Sequence, residues 1–156
     1  MAADYPLRAL HHVGIVVPDL EAAVADARER LGFDVRIFPA GVYRCRIGGH
    51  YAEPVTQIAM SVEGPPHLEL LAAVPGSEVW RPVPGVHHLG FVVDDVPAAA
   101  EQLANTGAPI IMGGVREGRF PVGATYHRDP LGHFVELLDS GTAARFAQSL
   151  ARPGIE

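Results

Sequence analysis

Between Leu10 and Val17 the chain alternates in a two-residue period, which places Val13, Ile15 and Val17 on one face of a strand and His12, Gly14 and Val16 on the other. The period then lengthens. Residues 22–32 read as an amphipathic helix that stops at a glycine suited to a left-handed cap, with Asp19 as its N-cap. The same switch recurs downstream. Leu89, Phe91 and Val93 form an apolar strand face, His88 and Gly90 the opposite one, and residues 98–107 a second helix capped by Asp95. Residues 34–46 and 55–62 look strand-like after the first helix, as do 110–112 and 125–127 after the second.

These similarities are an internal repeat. The stretch LHHVGIVVPDLEAA lies over VHHLGFVVDDVPAA at an offset of 76, from His12 to His88. Near the end of each copy HLELL lies over FVELL at an offset of 67, from Glu69 to Glu136, so the first copy has the longer interior. Strand, helix and three strands per copy is the simplest arrangement. The chain then divides into module 1 at about 9–72, a linker at 73–85, module 2 at about 86–140 and a C-terminal helix at about 142–150, within one domain over 1–156. Pro75, Gly76, Pro82, Pro84 and Gly85 make the linker too stiff for a flexible tether, so the copies are expected to pack together. Trp80 is assigned to packing between them.

The alternation also sorts the polar residues. If the apolar faces lie under the helices, then His12, His88, Glu69 and Glu136 all face the opposite side, and Gly14 and Gly90 leave room for close approach there. A glutamate set between core leucines is expensive to bury without a partner or a metal. Two imidazoles and two carboxylates form an N₂O₂ set suited to Zn, Ni, Co, Mn or Fe, with too few oxygens for a dedicated calcium cage. The repetition of both residue types in both copies favours a metal over isolated structural side chains. His11 and His87, though also repeated, are assigned structural roles, and His50, His127 and His133 surface or turn positions. Arg44, Arg46, Arg116 and Arg119 are read as mainly solvated, with a cleft role for a substrate anion as the lesser reading.

At 156 residues, 48% hydrophobic and 19% charged, the chain is long enough to bury a core. Its net charge of −6, with no Lys/Arg block, lacks the footprint of a nucleic-acid or anionic-lipid partner. Cys45 is the single cysteine, no signal-like start is present, and no apolar run approaches the ~20 residues of a spanning helix. A soluble cytoplasmic protein is expected.

The stretches HHVGIVVPDLEAAV, PHLELL, GVHHLGFVVDD and DPLGHFVELLD together resemble the vicinal oxygen chelate superfamily of glyoxalase I, methylmalonyl-CoA epimerase, bleomycin-resistance proteins and extradiol dioxygenases. The resemblance implies an α+β fold in which two tandem βαβββ modules form an open, cleft-containing mixed β-barrel with flanking helices. It also implies one divalent metal held by His12, Glu69, His88 and Glu136, and a homodimer. A His, Glu, His, Glu set is similar to the isomerase and epimerase branch. That branch implies a small carbonyl or thioester substrate, proton abstraction by Glu136 (with Glu69 as second choice), and an enediolate held by the metal. The alternatives are a drug- or metabolite-sequestering protein and an Fe(II) extradiol-type dioxygenase. Methylmalonyl-CoA epimerases carry a further glutamate in the region occupied here by VTQIAM, where Gln57 cannot act as a base. Substrate choice is expected to lie in residues 46–53 and 113–123.

Overall fold

A computed structural model describes residues 9–152. β1 (Leu10–Val17) runs into α1 (Leu20–Leu31), where the Asp19 carboxylate accepts from the Ala22 amide at 3.0 Å and Gly32, at φ 73°, closes the last turn. The first copy continues through β2 (Val35–Ile37), β3 (Gly41–Val42), β4 (Cys45–Ile47), β5 (His50–Ala52), β6 (Val55–Thr56), β7 (Ile58–Ser61) and β8 (His67–Ala72). The second copy is shorter: β9 (His88–Val93), α2 (Val96–Asn105), β10 (Ile110–Arg116), β11 (Arg119–Arg128) and β12 (Phe134–Asp139), followed by α3 (Ser140–Ala151). Asp95 caps α2 through the Ala98 amide at 2.9 Å, as expected. Thr106 is the C-cap of that helix, and the left-handed residue, Gly107 at φ 99°, comes one position later.

Ten strands form one mixed sheet in the order β2-β7-β8-β1-β9-β12-β11-β10-β4-β5. The copies meet at its centre, where β1 and β9 pair antiparallel, each flanked by the parallel closing strand of its own copy, β8 or β12. The first copy departs from three simple strands. Its longer interior folds into nested hairpins with β3–β6 outside and β4–β5 inside. Gly48 and Gly49, at φ 56° and 83°, supply the two-residue turn between β4 and β5. β4 then pairs with β10, so a hairpin of the first copy extends the edge of the second. The end strands β2 and β5 do not pair with each other, so the sheet is not closed into a barrel.

The two faces bury different cores. α1 covers Ile15, Val17, Leu68 and Leu70, and α2 covers Phe91, Val93, Val135 and Leu137, as the alternation predicts. On the other face Val16, Leu71, Met112 and Phe134 pack with Tyr126 and the linker's Trp80. Trp80 lies edge-on to Tyr43 and Tyr126, with ring centroids 6.0 and 6.1 Å away, and donates through Nε1 to the Tyr126 hydroxyl at 3.3 Å. Among the described residues, no helix is long and apolar enough to cross a membrane.

A candidate metal centre across the two copies

The strand register creates two rows that cross the middle of the sheet. One runs Glu69, Gly14, His88 and Phe134 across β8, β1, β9 and β12; the other runs His67, His12, Gly90 and Glu136 across the same strands. In each row a glycine separates a glutamate from a histidine. The imidazole of His88 lies over Gly14 and that of His12 over Gly90, where a Cβ on either glycine would collide with the ring. The repeat therefore sets four polar side chains above two bare backbone positions.

These four side chains converge. The His12 Nε2 lies 2.9 Å from His88 Nε2, 2.9 Å from Glu69 Oε2 and 2.7 Å from Glu136 Oε2. His88 Nε2 lies 3.0 Å from Glu69 Oε2 and 2.9 Å from Glu136 Oε2. All four residues are buried, and one donor atom from each lies within 4.8 Å of the others. Each Nε2 carries at most one proton, so two protons face five short contacts. If both rings were protonated, their N–H groups would also point at each other. Hydrogen bonding alone does not account for the cluster, whereas a central cation satisfies all four atoms. Around an ion with bonds of about 2.1 Å, neighbouring octahedral ligands stand about 3.0 Å apart and tetrahedral ones about 3.4 Å. The observed separations lie nearer the first.

Without a metal the four groups hold one another in their charged forms, and a cation would take the place of the imidazole protons. Burial opposes charge on His12, but Glu69 and Glu136 outweigh it and hold its imidazole up at about 11; His88 is raised in the same way. Burial likewise opposes charge on both carboxylates, and the two histidines nevertheless keep them below the usual carboxylate range.

One residue differs from its sequence assignment, and two others make contacts that the sequence did not specify. His11 Nδ1 lies 2.8 Å from His12 Nδ1, and His87 Nδ1 lies 2.9 Å from His88 Nδ1. Burial, then the neighbouring histidine, pushes both down to about 4. His127 is fully buried within β11, bonded to the Thr125 hydroxyl and the Ala108 carbonyl, rather than at a surface or turn. The strand pattern at 125–127 carried that information, because residue 127 alternates with the inward Thr125.

Glu69 and Glu136 also line a cavity of about 340 Å³, whose walls include Tyr43, Gln57, Trp80, Tyr126 and Phe146. Tyr43, Thr142 and Arg145 are shared with an adjoining groove of about 780 Å³ that carries Arg44 and Arg116. Two of the four arginines flagged from sequence therefore line this groove; Arg46 instead stacks 5.1 Å over Phe120, and Arg119 lies 3.8 Å from Glu117. Arg145 was not legible as a site residue, since nothing in a tail helix marks its side chain for the cleft. Among the described residues, the Tyr43 hydroxyl is the one buried side-chain polar atom without a hydrogen-bond partner.

Comparison with known proteins agrees with this architecture. Residues 11–126 match the Glyoxalase/Bleomycin resistance protein/Dioxygenase superfamily. The chain is 33% identical over 114 residues to the ethylmalonyl-CoA/methylmalonyl-CoA epimerase of Cereibacter sphaeroides, covering 67% of this chain and 75% of that protein. The crystal structure of methylmalonyl-CoA epimerase from Mycobacterium tuberculosis superposes with a TM-score of 0.57 at 24% identity, covering 92% of this chain and 97% of that one. A variant of the Streptomyces coelicolor methylmalonyl-CoA epimerase in complex with 2-nitronate-propionyl-CoA gives 0.59 at 25% identity, covering 86% and 95%. The repeat, the fold and these matches together place the chain in the Glyoxalase/Bleomycin resistance protein/Dioxygenase superfamily, as a homologue of methylmalonyl-CoA epimerases.

Proposed function

We propose that this chain is a divalent-metal-dependent epimerase of a 2-substituted malonyl thioester, with His12, Glu69, His88 and Glu136 as metal ligands. The observation that carries this reading is the buried four-atom cluster whose two carboxylates also form the wall of the cavity. A divalent ion at this position supplies the positive charge that stabilises oxyanion character as the proton next to a thioester carbonyl departs. The protein supplies the proton transfers. Glu69 on β8 and Glu136 on β12 flank the two histidine strands from opposite sides. One carboxylate takes the C2 proton from one face and passes it to solvent, and a solvent proton reaches the opposite face by way of the other carboxylate. Glu136 is assigned as the first base and Glu69 as its counterpart. Gln57 is also on the cavity wall, but its amide donates to the Phe38 carbonyl at 3.1 Å and has no basic site to take a proton, which leaves this role to the glutamates.

The surroundings support a substrate in two parts. The inner cavity fits a small acyl group beside Tyr126 and Trp80, and the arginine-bearing groove suits the phosphates of a coenzyme A carrier. The test follows the C2 proton of one diastereomer of methylmalonyl-CoA or ethylmalonyl-CoA by proton NMR in D₂O with metal-loaded protein. Loss of the C2–H signal together with growth of the other diastereomer is expected, falling by roughly 10²–10⁴-fold in Glu136→Gln. No exchange in either substrate would contradict the reading.

A further inference from the structure

The segment that joins the two copies ends beside the cluster. Val79 and Trp80 are buried, and the carbonyl of Val79 lies 2.8 Å from His87 Nε2. A carbonyl only accepts, so the proton of that bond sits on His87 Nε2. The His87 ring is 2% exposed and packs edge-on against Tyr126 and Phe134, at 5.5 and 5.1 Å. A buried imidazole among aromatic rings is favoured in its neutral form. With its one proton on Nε2, its Nδ1 carries a lone pair, which faces His88 Nδ1 at 2.9 Å. The proton of this second bond must therefore come from His88, as Nδ1–H. In the neutral ring that leaves His88 Nε2 with a free lone pair, and Nε2 is the atom directed at Glu69, Glu136 and His12.

We infer that His87 is a positioning residue, anchored by the Val79 carbonyl, that fixes His88 in the tautomer and ring orientation needed to bind the metal through Nε2. This inference rests on the cluster being a metal site, as proposed above. The pair is repeated 76 positions upstream, where His11 and His12 meet through their Nδ1 atoms at 2.8 Å. Two different environments thus hold the same contact. His87 is tied to a linker carbonyl, while His11 lies against the rings of His67 and Phe146, at 5.1 and 6.2 Å. A histidine used only for packing would not need its Nδ1 turned to the same atom of its neighbour in both copies. The linker consequently has a task beyond joining the copies, because its Val79 carbonyl is the first link of a chain that ends on a ligand atom.

The test compares Zn²⁺ affinity, by competition with a chromophoric chelator, among wild type, His87→Phe and His87→Asn. Phenylalanine keeps the ring volume and removes the acceptor, whereas the asparagine side-chain oxygen can occupy the Nδ1 position and still accept from His88. The expected result is a dissociation constant about 10–100-fold weaker in His87→Phe, with most of the affinity restored in His87→Asn. Thermal melting of the metal-free variants separates this effect from misfolding. Should His87→Phe fail to fold, His87→Asn beside His87→Leu gives the same contrast. Long-range ¹H–¹⁵N correlation of the zinc-loaded wild type is expected to show His88 protonated at Nδ1. Equal affinity in all folded variants, or His88 protonated at Nε2, would overturn the inference while leaving the metal site intact. Absence of zinc binding by the wild type would instead remove the metal reading, and the positioning role with it.

Discussion

Gly14 and Gly90 show how residue chemistry sets the site. Both lie on regular strands and neither is needed for a turn; each is small because the opposing histidine ring occupies the space a Cβ would take. Gly14→Ala is expected to displace His88 and Gly90→Ala to displace His12, each destabilising the metal-free protein by about 1–3 kcal/mol through overpacking and lowering metal occupancy. Melting and metal analysis of each variant check this; unchanged occupancy would contradict the account. At this scale much of the candidate site was legible, because a two-residue period assigns a face to every side chain in a strand. The direction of His12, Glu69, His88 and Glu136 followed from the apolar residues between them. What alternation does not encode is the partner of a side chain. His11 and His87 reach sideways to the next histidine through their ring nitrogens, and that contact depends on rotamers and on a linker carbonyl from outside the strand.

Among the elements, α3 borders the substrate region directly. Asp139 caps it by accepting from the Thr142 amide at 2.7 Å, and Thr142, Arg145 and Phe146 from its first two turns line the inner cavity. Asp139→Ala is expected to cost about 1 kcal/mol of stability. By loosening this wall it should also raise KM for the thioester more than it lowers kcat. Steady-state kinetics decides the point, and a fall in kcat with unchanged KM would place α3 outside substrate binding. The helices and three of their caps could be read in advance because Asp19, Asp95, Gly32 and the apolar period are local signals. The β4–β5 hairpin could not. Its strand segments are too short for periodicity to identify, and its pairing with β10 joins residues more than 60 positions apart.

For the whole molecule, the charge states of buried histidines predict an acid sensitivity. Burial holds His11 and His87 at about 4 and also lowers His127, whereas an unfolded histidine titrates near 6.5. Between those values the unfolded chain binds protons that the folded one does not, so stability is lost as pH falls from about 6.5 toward 4. His12 and His88 are raised; their contribution is complete only below 6.5 and fades as pH rises above it, so on acidification from pH 7 they offset only part of this loss. The lowered Glu69 and Glu136 add to it below about 4.5. The melting temperature of metal-free protein is therefore expected to be lower at pH 5 than at pH 7, and a higher value at pH 5 would contradict these assignments.

In the proposed centre, two copies of one unit place their histidine and glutamate side chains around a single divalent cation. Elemental analysis of protein purified without a metal-affinity tag, beside the His12→Ala, His88→Ala double variant, tests it most directly. About one divalent metal per wild-type chain is expected, and none in the folded double variant. A wild-type protein that remains without metal after exposure to Zn²⁺, Ni²⁺, Co²⁺, Mn²⁺ and Fe²⁺ would contradict it.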